Sequence, residues 1–289
     1  MTGRGRETRS LLTGWSLHLP GIEEFDGAPP EKAATVLGRK GLLYKEPATR
    51  LALCAVHRAL GFEPGHRVSG PIETGTAVVA CSNLGNVETV AKVTRAVEAE
   101  GGRGVSVLDA PNVSPNVVAS TVALWFGFGG PNLMLCSGST AGQAGLRMAS
   151  LLLRSGRATR VVLVGAEPED EIASILHDGP LRSGSACVLL EPWREKTGSV
   201  VVDVDPGEAE APPRRTVGSG GFDVKERWGD FSGAHGVVEL ALAAHLAVAE
   251  GEGRVGIGPH RPDGRPAVSV AVTEPVGGAE TNPRTGPNA

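Results

Sequence analysis

The chain has 289 residues, of which 40% are hydrophobic and only 4% aromatic, and its formal net charge is −4. This length allows one large α/β domain or two small ones, with a core built mainly from aliphatic side chains. The slight acidity and the absence of a basic stripe argue against nucleic acid as a partner. No apolar run reaches the roughly 18 residues that span a bilayer, and no secretory signal is visible, so the sequence predicts a cytoplasmic protein without a membrane partner.

Strands and helices are predicted to alternate along the first two thirds of the chain. Short apolar runs indicate strands at 9–17, 74–82, 131–138, 158–169 and 183–192. Helical spacing of apolar residues, with Ser, Pro and Gly near the ends, indicates helices at 46–62, 86–101, 114–127 and 139–156. This alternation predicts layered α/β architecture around a mostly buried sheet.

The last third has a weaker pattern. Residues 205–221 are rich in Pro, Gly and charge and are expected to form a loop, followed by a helix at 233–251 and a strand at 266–274. We therefore expect a single domain over 1–289, with a first half at 10–192 and a reduced second half at 229–274. A linker-like segment at 193–228 separates these halves, and a disordered tail is expected at 275–289.

The cysteines and glycines predict neither a metal site nor a cofactor. No two cysteines form a CxxC pair, so free buried thiols are expected at Cys54, Cys81, Cys136 and Cys187. The glycines that follow the strand at 131–138 lack the GxGxxG spacing of dinucleotide-binding loops.

The junction of the strand at 131–138 with the next helix carries the clearest chemical signal. It reads Ser-Gly-Ser-Thr-Ala-Gly at 137–142 and presents Ser139 at a helix N-terminus. Unpaired N–H groups and the helix dipole favour negative charge there, which suits a nucleophile or an oxyanion. The ordinary alternative is that Ser139 only caps the helix, because serine is a favoured N-cap residue.

Five short motifs occur in a fixed order around this junction. They are Pro-Asn at 115–116, Phe-Gly-Phe-Gly-Gly-Pro at 126–131, the 137–142 motif, Arg-Ser-Gly at 154–156 and Gly-Ala-Glu at 165–167. This ordered set resembles the core of the β-ketoacyl synthases, and weaker similarity extends to 49–61, 183–192 and 229–247. The resemblance implies a thiolase-like layered α/β/α fold with a reduced C-terminal half. It also implies acyl thioester chemistry of the polyketide or fatty-acid type, and a dimer built across the strand at 133–137.

Three departures from the family pattern affect the expected chemistry. Ser139 stands at the position of the family's nucleophilic Cys, and Asp230 stands at the position of its second His. The His-Gly-Thr-Gly-Thr loop that carries the first His is absent between Glu191 and Gly229. Because condensation needs a thiolate and donors that stabilise an enolate, we expect no normal decarboxylative condensation.

Three functions remain open from the sequence, and the first is favoured. In that hypothesis Ser139 takes an acyl group from an acyl carrier protein or CoA thioester, for transfer or hydrolysis. His235 and Asp230 complete the expected catalytic set, His177 is an alternative base, and Thr140, Phe126 and His177 are the expected substrate contacts.

The second hypothesis is a non-catalytic partner of an active ketosynthase, similar to a chain-length factor, and the protein is expected to form a homodimer or such a heterodimer. The third is a docking module whose basic residues meet an acidic carrier protein, namely Arg147, Arg154, Arg157 and Arg160.

Overall fold

A single sheet of nine strands organises the computed structural model, which describes residues 8–177, 179–206, 213, 215–218, 221–249, 253–260 and 266–273. The strands are β1 (Arg9–His18), β2 (Thr76–Cys81), β3 (Asn132–Leu135), β4 (Arg160–Glu167), β5 (Gly184–Pro192), β6 (Val200–Asp203), β7 (Arg215–Val217), β8 (Arg254–His260) and β9 (Pro266–Val272). The helices are α1 (Ala34–Leu37), α2 (Pro47–Ala59), α3 (Val87–Glu100), α4 (Val117–Phe126), α5 (Ala141–Arg154), α6 (Glu171–Leu176), α7 (Val224–Trp228) and α8 (His235–Val248).

The strand order is β3-β2-β4-β5-β1-β6-β9-β8-β7, so β3 and β7 lie at the two edges. Strand β2 runs parallel to β3 and β4, whereas β5 is antiparallel to both β4 and β1. The pairing of β1 with β6 joins the strands of the first half to those of the second. The described residues thus form one continuous sheet across both parts of the chain.

Apolar layers cover both faces of the central strands. Neighbouring residues of β2 alternate between two core clusters, with Val78 and Ala80 in one cluster and Val79 and Cys81 in the other. Helices α2 and α4 supply the first cluster, and α5 and α8 supply the second. Burial on both faces explains why these strands are continuous apolar runs in the sequence.

Helix α8 occupies the centre of the fold. It packs on β1, β4 and β5 and also on β7, β8 and β9. Nine of its 14 residues are buried, which fits a helix that is apolar on nearly all sides. The predicted layered α/β arrangement is therefore confirmed, with α5 packed on β2, β3, β4 and β5 and α8 packed on strands of both halves of the chain.

The second half of the chain contains more regular structure than the sequence pattern indicates. Strands β6 and β7 and helix α7 lie within 193–228, the segment expected to be linker-like, and β8 was not predicted at all. Strand β8 contains two glycines and a proline, which weaken any strand signal in the sequence. Part of the expected loop at 205–221 and the whole tail at 275–289 lie outside the described residues.

The expectation of four buried thiols is correct for three cysteines and wrong for the fourth. Cys54, Cys81 and Cys187 are fully buried, and burial raises the pKa of the Cys54 and Cys81 thiols to about 12. Cys136 is exposed, because β3 ends at Leu135 and the next residue already belongs to the turn. No helix in the described part of the chain is long and apolar enough to cross a bilayer.

His18 gives the fold a pH-dependent element. The ring lies at the end of β1, is fully buried, and its Nε2 lies 2.8 Å from the carbonyl oxygen of Ala28. Burial, assisted by the nearby charge of Arg58, lowers the pKa of His18 from 6.5 to about 4. Because the unfolded chain then binds the proton more readily, the contribution of His18 to stability is present above about pH 6.5 and is lost as the pH falls towards 4.

We expect the stability difference between the wild type and His18→Gln to depend on pH in that direction. The advantage of the wild type in free energy of unfolding should shrink by about 2.5 kcal/mol between about pH 7.5 and about pH 4.5. Urea unfolding of both proteins at the two pH values measures this change. A difference that stays constant would show that His18 titrates alike in the folded and unfolded chains.

Candidate functional site

Ser139 lies in an exposed turn between β3 and α5. The 3-10 turn Gly138–Thr140 leads directly into α5, and the hydroxyl of Thr140 donates a 2.8 Å hydrogen bond to the carbonyl oxygen of Ser137. Ser139 and Thr140 are both exposed, and within the described residues the Ser139 hydroxyl has no hydrogen-bond partner. Ser139 is therefore accessible at the N-terminus of a 14-residue helix, as the sequence predicts.

A glycine in the left-handed region sets the shape of this turn. Gly138 has φ +66°, and the space around its Cα is open. An added Cβ would meet nothing within 4 Å, but an L-residue would be strained by the backbone angle itself.

Gly138→Ala is expected to lower the free energy of unfolding by about 1 kcal/mol because of this angle. Gly138→Asn should cost less, since asparagine tolerates the left-handed region better than other residues with a side chain. Thermal or urea unfolding of the two variants tests this order. Equal costs for alanine and asparagine would contradict a conformational cause.

A second turn, Ser232–Ala234, lies against the first and leads into α8 at His235. Helices α5 and α8 touch through their backbones near their starts: a Cβ on Gly142 would stand 2.6 Å from the Cα of Gly236. This close approach brings together the N-termini of two long helices. Ser139 precedes one of these helix starts, and His235 begins the other helix.

His235 faces a carboxylate of its own helix. Its Nε2 lies 3.6 Å from Oε1 of Glu239, one turn later, and both side chains are largely buried. The Nδ1 atom of His235 is buried and has no hydrogen-bond partner within the described residues. A neutral ring with its proton on Nε2, towards Glu239, keeps Nδ1 as the basic nitrogen.

Asp230 is held as a carboxylate by its neighbours. Its Oδ2 lies 2.6 Å from Nζ of Lys225 and 3.5 Å from Nε2 of His177, and its Oδ1 accepts a 2.7 Å hydrogen bond from the Ser232 N–H. Burial alone raises the pKa of Asp230, but the hydrogen bonds from Lys225 and Ser232 outweigh it and leave the pKa below its ordinary value. The structure thus joins Asp230 to His177 and makes Asp230 an acceptor rather than a donor.

Glu167 is the most strongly connected acidic side chain near these turns, and sequence reasoning did not assign it a role. It ends β4, is fully buried, and accepts four hydrogen bonds. Oε1 accepts from the N–H groups of Asn83 (2.6 Å) and Gly233 (2.9 Å), and Oε2 accepts from the hydroxyl of Ser82 and the N–H of Leu84, both at 3.0 Å. Burial raises its pKa to about 7, although each hydrogen bond favours the charged form.

Asn83 extends this network to the Ser139 turn. Its Oδ1 accepts a 3.1 Å hydrogen bond from the Gly138 N–H, and its Nδ2 donates a 2.9 Å hydrogen bond to Oγ of Ser232. The available sequence signal was limited to a charged residue that closes an otherwise apolar strand, in the Gly-Ala-Glu motif at 165–167. The partners of Glu167 are far away in sequence and leave no local pattern.

Phe126 is not part of this arrangement. It is only 2% exposed and packs in the cluster formed by α2 and α4, on the face of the sheet opposite to α5 and α8. Its ring stacks on Phe128, with the centroids 5.8 Å apart. The structure thus places Phe126 in the core, because the apolar side of α4 faces the sheet, and its contact with substrate stays a prediction.

Three of the four basic residues considered for docking lie at or beyond the C-terminal end of α5, and Arg147 lies in the middle of that helix. Arg154 ends that helix, and Arg160, at the start of β4, lies within 4 Å of both Glu191 and Glu73. Arg154 and Arg160 line two adjoining surface depressions that share Trp193. Among the described residues, no three His, Cys, Asp or Glu side chains cluster as a metal site.

The structure thus defines a layered α/β protein with an exposed serine before a long helix, and comparison with known proteins identifies the family. Residues 30–187, more than half of the chain, match the family described as "Beta-ketoacyl synthase, N-terminal domain". The chain belongs to the β-ketoacyl synthase family. No curated protein sequence matches it.

Two solved structures show the same fold over nearly the whole chain. One, described as the ishigamide ketosynthase/chain length factor, is 21% identical, with a TM-score of 0.65 over 91% of this chain and 98% of that chain. The other is a type II PKS acyl-carrier protein in complex with its ketosynthase bound to the hexaketide; it is 14% identical, with a TM-score of 0.65 over 92% of this chain and 99% of that chain. At these identities the similarity establishes a thiolase-like ketosynthase fold.

Proposed function

We propose that this chain is a ketosynthase-like protein of polyketide biosynthesis that does not condense acyl units and that takes an acyl group from a thioester onto Ser139. The observation that carries the proposal is the accessible Ser139 hydroxyl at the start of α5, beside the start of α8 with its His235–Glu239 pair. The thioesters expected are those of an acyl carrier protein or of CoA.

The environment of Asp230 supports the absence of condensation. At the position where the family has a donor histidine, this chain has a carboxylate whose pKa is lowered by Lys225 and Ser232 despite burial. An ionised carboxylate accepts hydrogen bonds and repels the negative charge of an enolate. A thiolate nucleophile is also absent from position 139.

In the proposed acyl transfer, Ser139 Oγ attacks the thioester carbonyl while Nδ1 of His235 takes the hydroxyl proton. The C–S bond then breaks, and the protonated ring returns the proton to the leaving thiolate. Glu239 stabilises the charged ring during this step, and the N–H groups at the start of α5 stabilise the oxyanion. Ser139 and His235 are not hydrogen-bonded to each other in the described structure, and catalytic hydrogen bonds of this kind tighten when substrate binds.

Loss of thioester on mixing with the protein tests this function. The exposed Cys136 lies three residues before Ser139 and is itself a thiol that thioesters acylate, so the assay belongs in a Cys136→Ala background. We expect that chain to consume acyl thioester, Ser139→Ala to lose about a hundredfold or more of the rate, and Ser137→Ala to retain it. Equal rates in the Ser139 and Ser137 variants would refute the proposal.

A second candidate function is that of a non-catalytic partner of an active ketosynthase. It is favoured by β3, which lies at the edge of the sheet and pairs only with β2 in the described structure. The adjacent helix α4 exposes 85% of Leu124, and an open edge strand beside an apolar side chain suits subunit pairing.

Mass photometry of this chain with a full-length ketosynthase of the same biosynthetic system tests the partner function. We expect a one-to-one complex that Leu124→Asp weakens at least tenfold in dissociation constant. If both proteins stay separate, or if this chain forms only a homodimer, the partner function is excluded for that pair.

A further inference from the structure

The residues around Ser139 are connected by a side-chain network that the family resemblance does not assign. We call the set Ser82, Asn83, Glu167, Ser232 and Gly233 the turn latch. Its members lie after β2, at the end of β4 and before α8, so the latch joins three separate segments of the chain. One member, Asn83, also bonds to the Gly138 N–H in the turn that carries Ser139.

Two features distinguish the latch from ordinary loop hydrogen bonding. First, Glu167 is a fully buried carboxyl group whose two oxygens each accept two hydrogen bonds. Three of these bonds come from residues 82–84 and restrain the backbone at Asn83. Second, Ser232 has φ +44° and is the one non-glycine residue with positive φ among those that the structure describes. Such a strained backbone persists only where the surrounding contacts hold it.

The contacts of Ser232 supply that restraint. Its N–H donates to Oδ1 of Asp230, and its Oγ accepts from Nδ2 of Asn83 at 2.9 Å. The same Asn83 side chain accepts from Gly138 at 3.1 Å. One amide group therefore binds the Ser139 turn with its oxygen and the His235 turn with its nitrogen, so it sets the distance between them.

We propose that Asn83, held by Glu167, is the positioning residue that aligns the Ser139 turn with the start of α8, an inference that rests on the proposed acylation of Ser139. The hydrogen bonds of Asn83 go to Glu167, Ser232 and Gly138, and among the described residues none joins it to the Ser139 hydroxyl or the His235 ring. Its role is to keep the nucleophile and the base in one geometry, and a misplacement of about 1 Å in such a pair costs about a hundredfold in rate.

Asn83→Ala removes both bridging hydrogen bonds, and Asn83→Asp is the rescue variant. A carboxylate at position 83 retains the acceptor for the Gly138 N–H and offers a second oxygen to the Ser232 hydroxyl. Asn86→Ala is the matched control, because Asn86 also donates two side-chain hydrogen bonds, but they go to the carbonyl oxygens of Asn112 and Ser114 and not to either turn.

Two readouts separate the inference from the proposed function. Residue-resolved hydrogen exchange of the Gly138 N–H, compared with the global unfolding of each variant, reports whether its hydrogen bond to Asn83 is intact. This measurement does not require acylation. We expect Asn83→Ala to raise the exchange rate at Gly138 about tenfold and Asn86→Ala to leave it unchanged. The single-turnover rate of Ser139 acylation should fall about tenfold to a hundredfold in Asn83→Ala and recover in Asn83→Asp. The thioester concentration that gives half of the maximal rate should stay unchanged.

Each result has a distinct meaning. If the Cys136→Ala chain is never acylated but Gly138 exchange responds to Asn83→Ala, the latch stands as a structural device and the proposed function fails. If the Cys136→Ala chain is acylated at Ser139 and Asn83→Ala in that background changes neither the exchange at Gly138 nor the acylation rate, the positioning role of Asn83 is overturned. A fall in acylation that Asn86→Ala reproduces would also overturn it.

Discussion

Glu167→Ala is expected to lower the free energy of unfolding by about 4 kcal/mol, the largest effect of any acidic residue in the site. The substitution removes a fully buried carboxyl group. It leaves three backbone N–H groups and the Ser82 hydroxyl without their acceptor. Each buried donor left unpaired costs about 1–3 kcal/mol, and partial entry of water reduces the sum. Chemical denaturation measures the loss. The control is Glu98→Ala on the exposed side of α3, where a change within about 0.5 kcal/mol is expected.

The pH dependence of the milder variant Glu167→Gln tests whether the pKa of Glu167 is raised in the folded chain. The pKa of Glu167 is raised from 4.5 to about 7 in the folded chain, chiefly by burial. The part of its contribution to stability that comes from this raised pKa is therefore full below about pH 4.5 and is lost as the pH rises through about 7. The cost of Glu167→Gln, which does not titrate, should accordingly be about 3 kcal/mol larger at pH 4.5 than at pH 8. A cost that is independent of pH, or larger at pH 8, would contradict the raised pKa.

Gly142→Ala is expected to destabilise the fold by about 3 kcal/mol. The added Cβ would stand 2.6 Å from the Cα and 2.7 Å from the carbonyl carbon of Gly236, so α5 and α8 would have to separate. Both helices belong to the same core cluster, and overpacking of a dense core costs about 1–3 kcal/mol or more. The change is also expected to move the Ser139 turn away from His235, because the contact lies at the start of both helices.

Gly102→Ala is the matched control for this substitution. Its added Cβ would meet nothing within 4 Å, and its backbone needs no left-handed angle. The two variants therefore share the same chemical change, and only Gly142 is in backbone contact with a neighbouring helix. Urea unfolding should show a loss of about 3 kcal/mol for Gly142→Ala and a change within about 0.5 kcal/mol for Gly102→Ala. Similar values for both would show that the two helices accommodate a methyl group.

The strand–turn–helix at Ser139 was predictable from the sequence because its signals are local. An apolar run, a Ser-Gly-Ser turn and a small-residue helix lie within about 25 residues of each other, and the structure places β3, the turn and α5 close to the predicted bounds. The ordered motifs around it also sufficed to predict the family, which the match over residues 30–187 confirms.

What the sequence did not predict depends on contacts between distant residues. Asn83 bonds to Gly138 and Ser232, which lie 55 and 149 positions away, so no spacing rule points to it. The burial of Phe126 is likewise set by packing, because its helix turns the ring into the core on the face of the sheet opposite to α5 and α8. The exposure of Cys136 depends on where β3 ends, and strand ends are the least certain part of a sequence-based prediction.

The most direct test of a covalent role for Ser139 is the intact mass of the Cys136→Ala chain after incubation with an acyl carrier protein thioester, with Ser139→Ala in the same background beside it. We expect a mass gain of one acyl group that maps to the peptide containing Ser139, resists neutral hydroxylamine as an oxygen ester does, and is absent from the Ser139→Ala chain. An unmodified mass with every thioester, or an adduct that persists in Ser139→Ala, would contradict the covalent role of Ser139. The pairing function of the β3 edge would then be the better description of the protein.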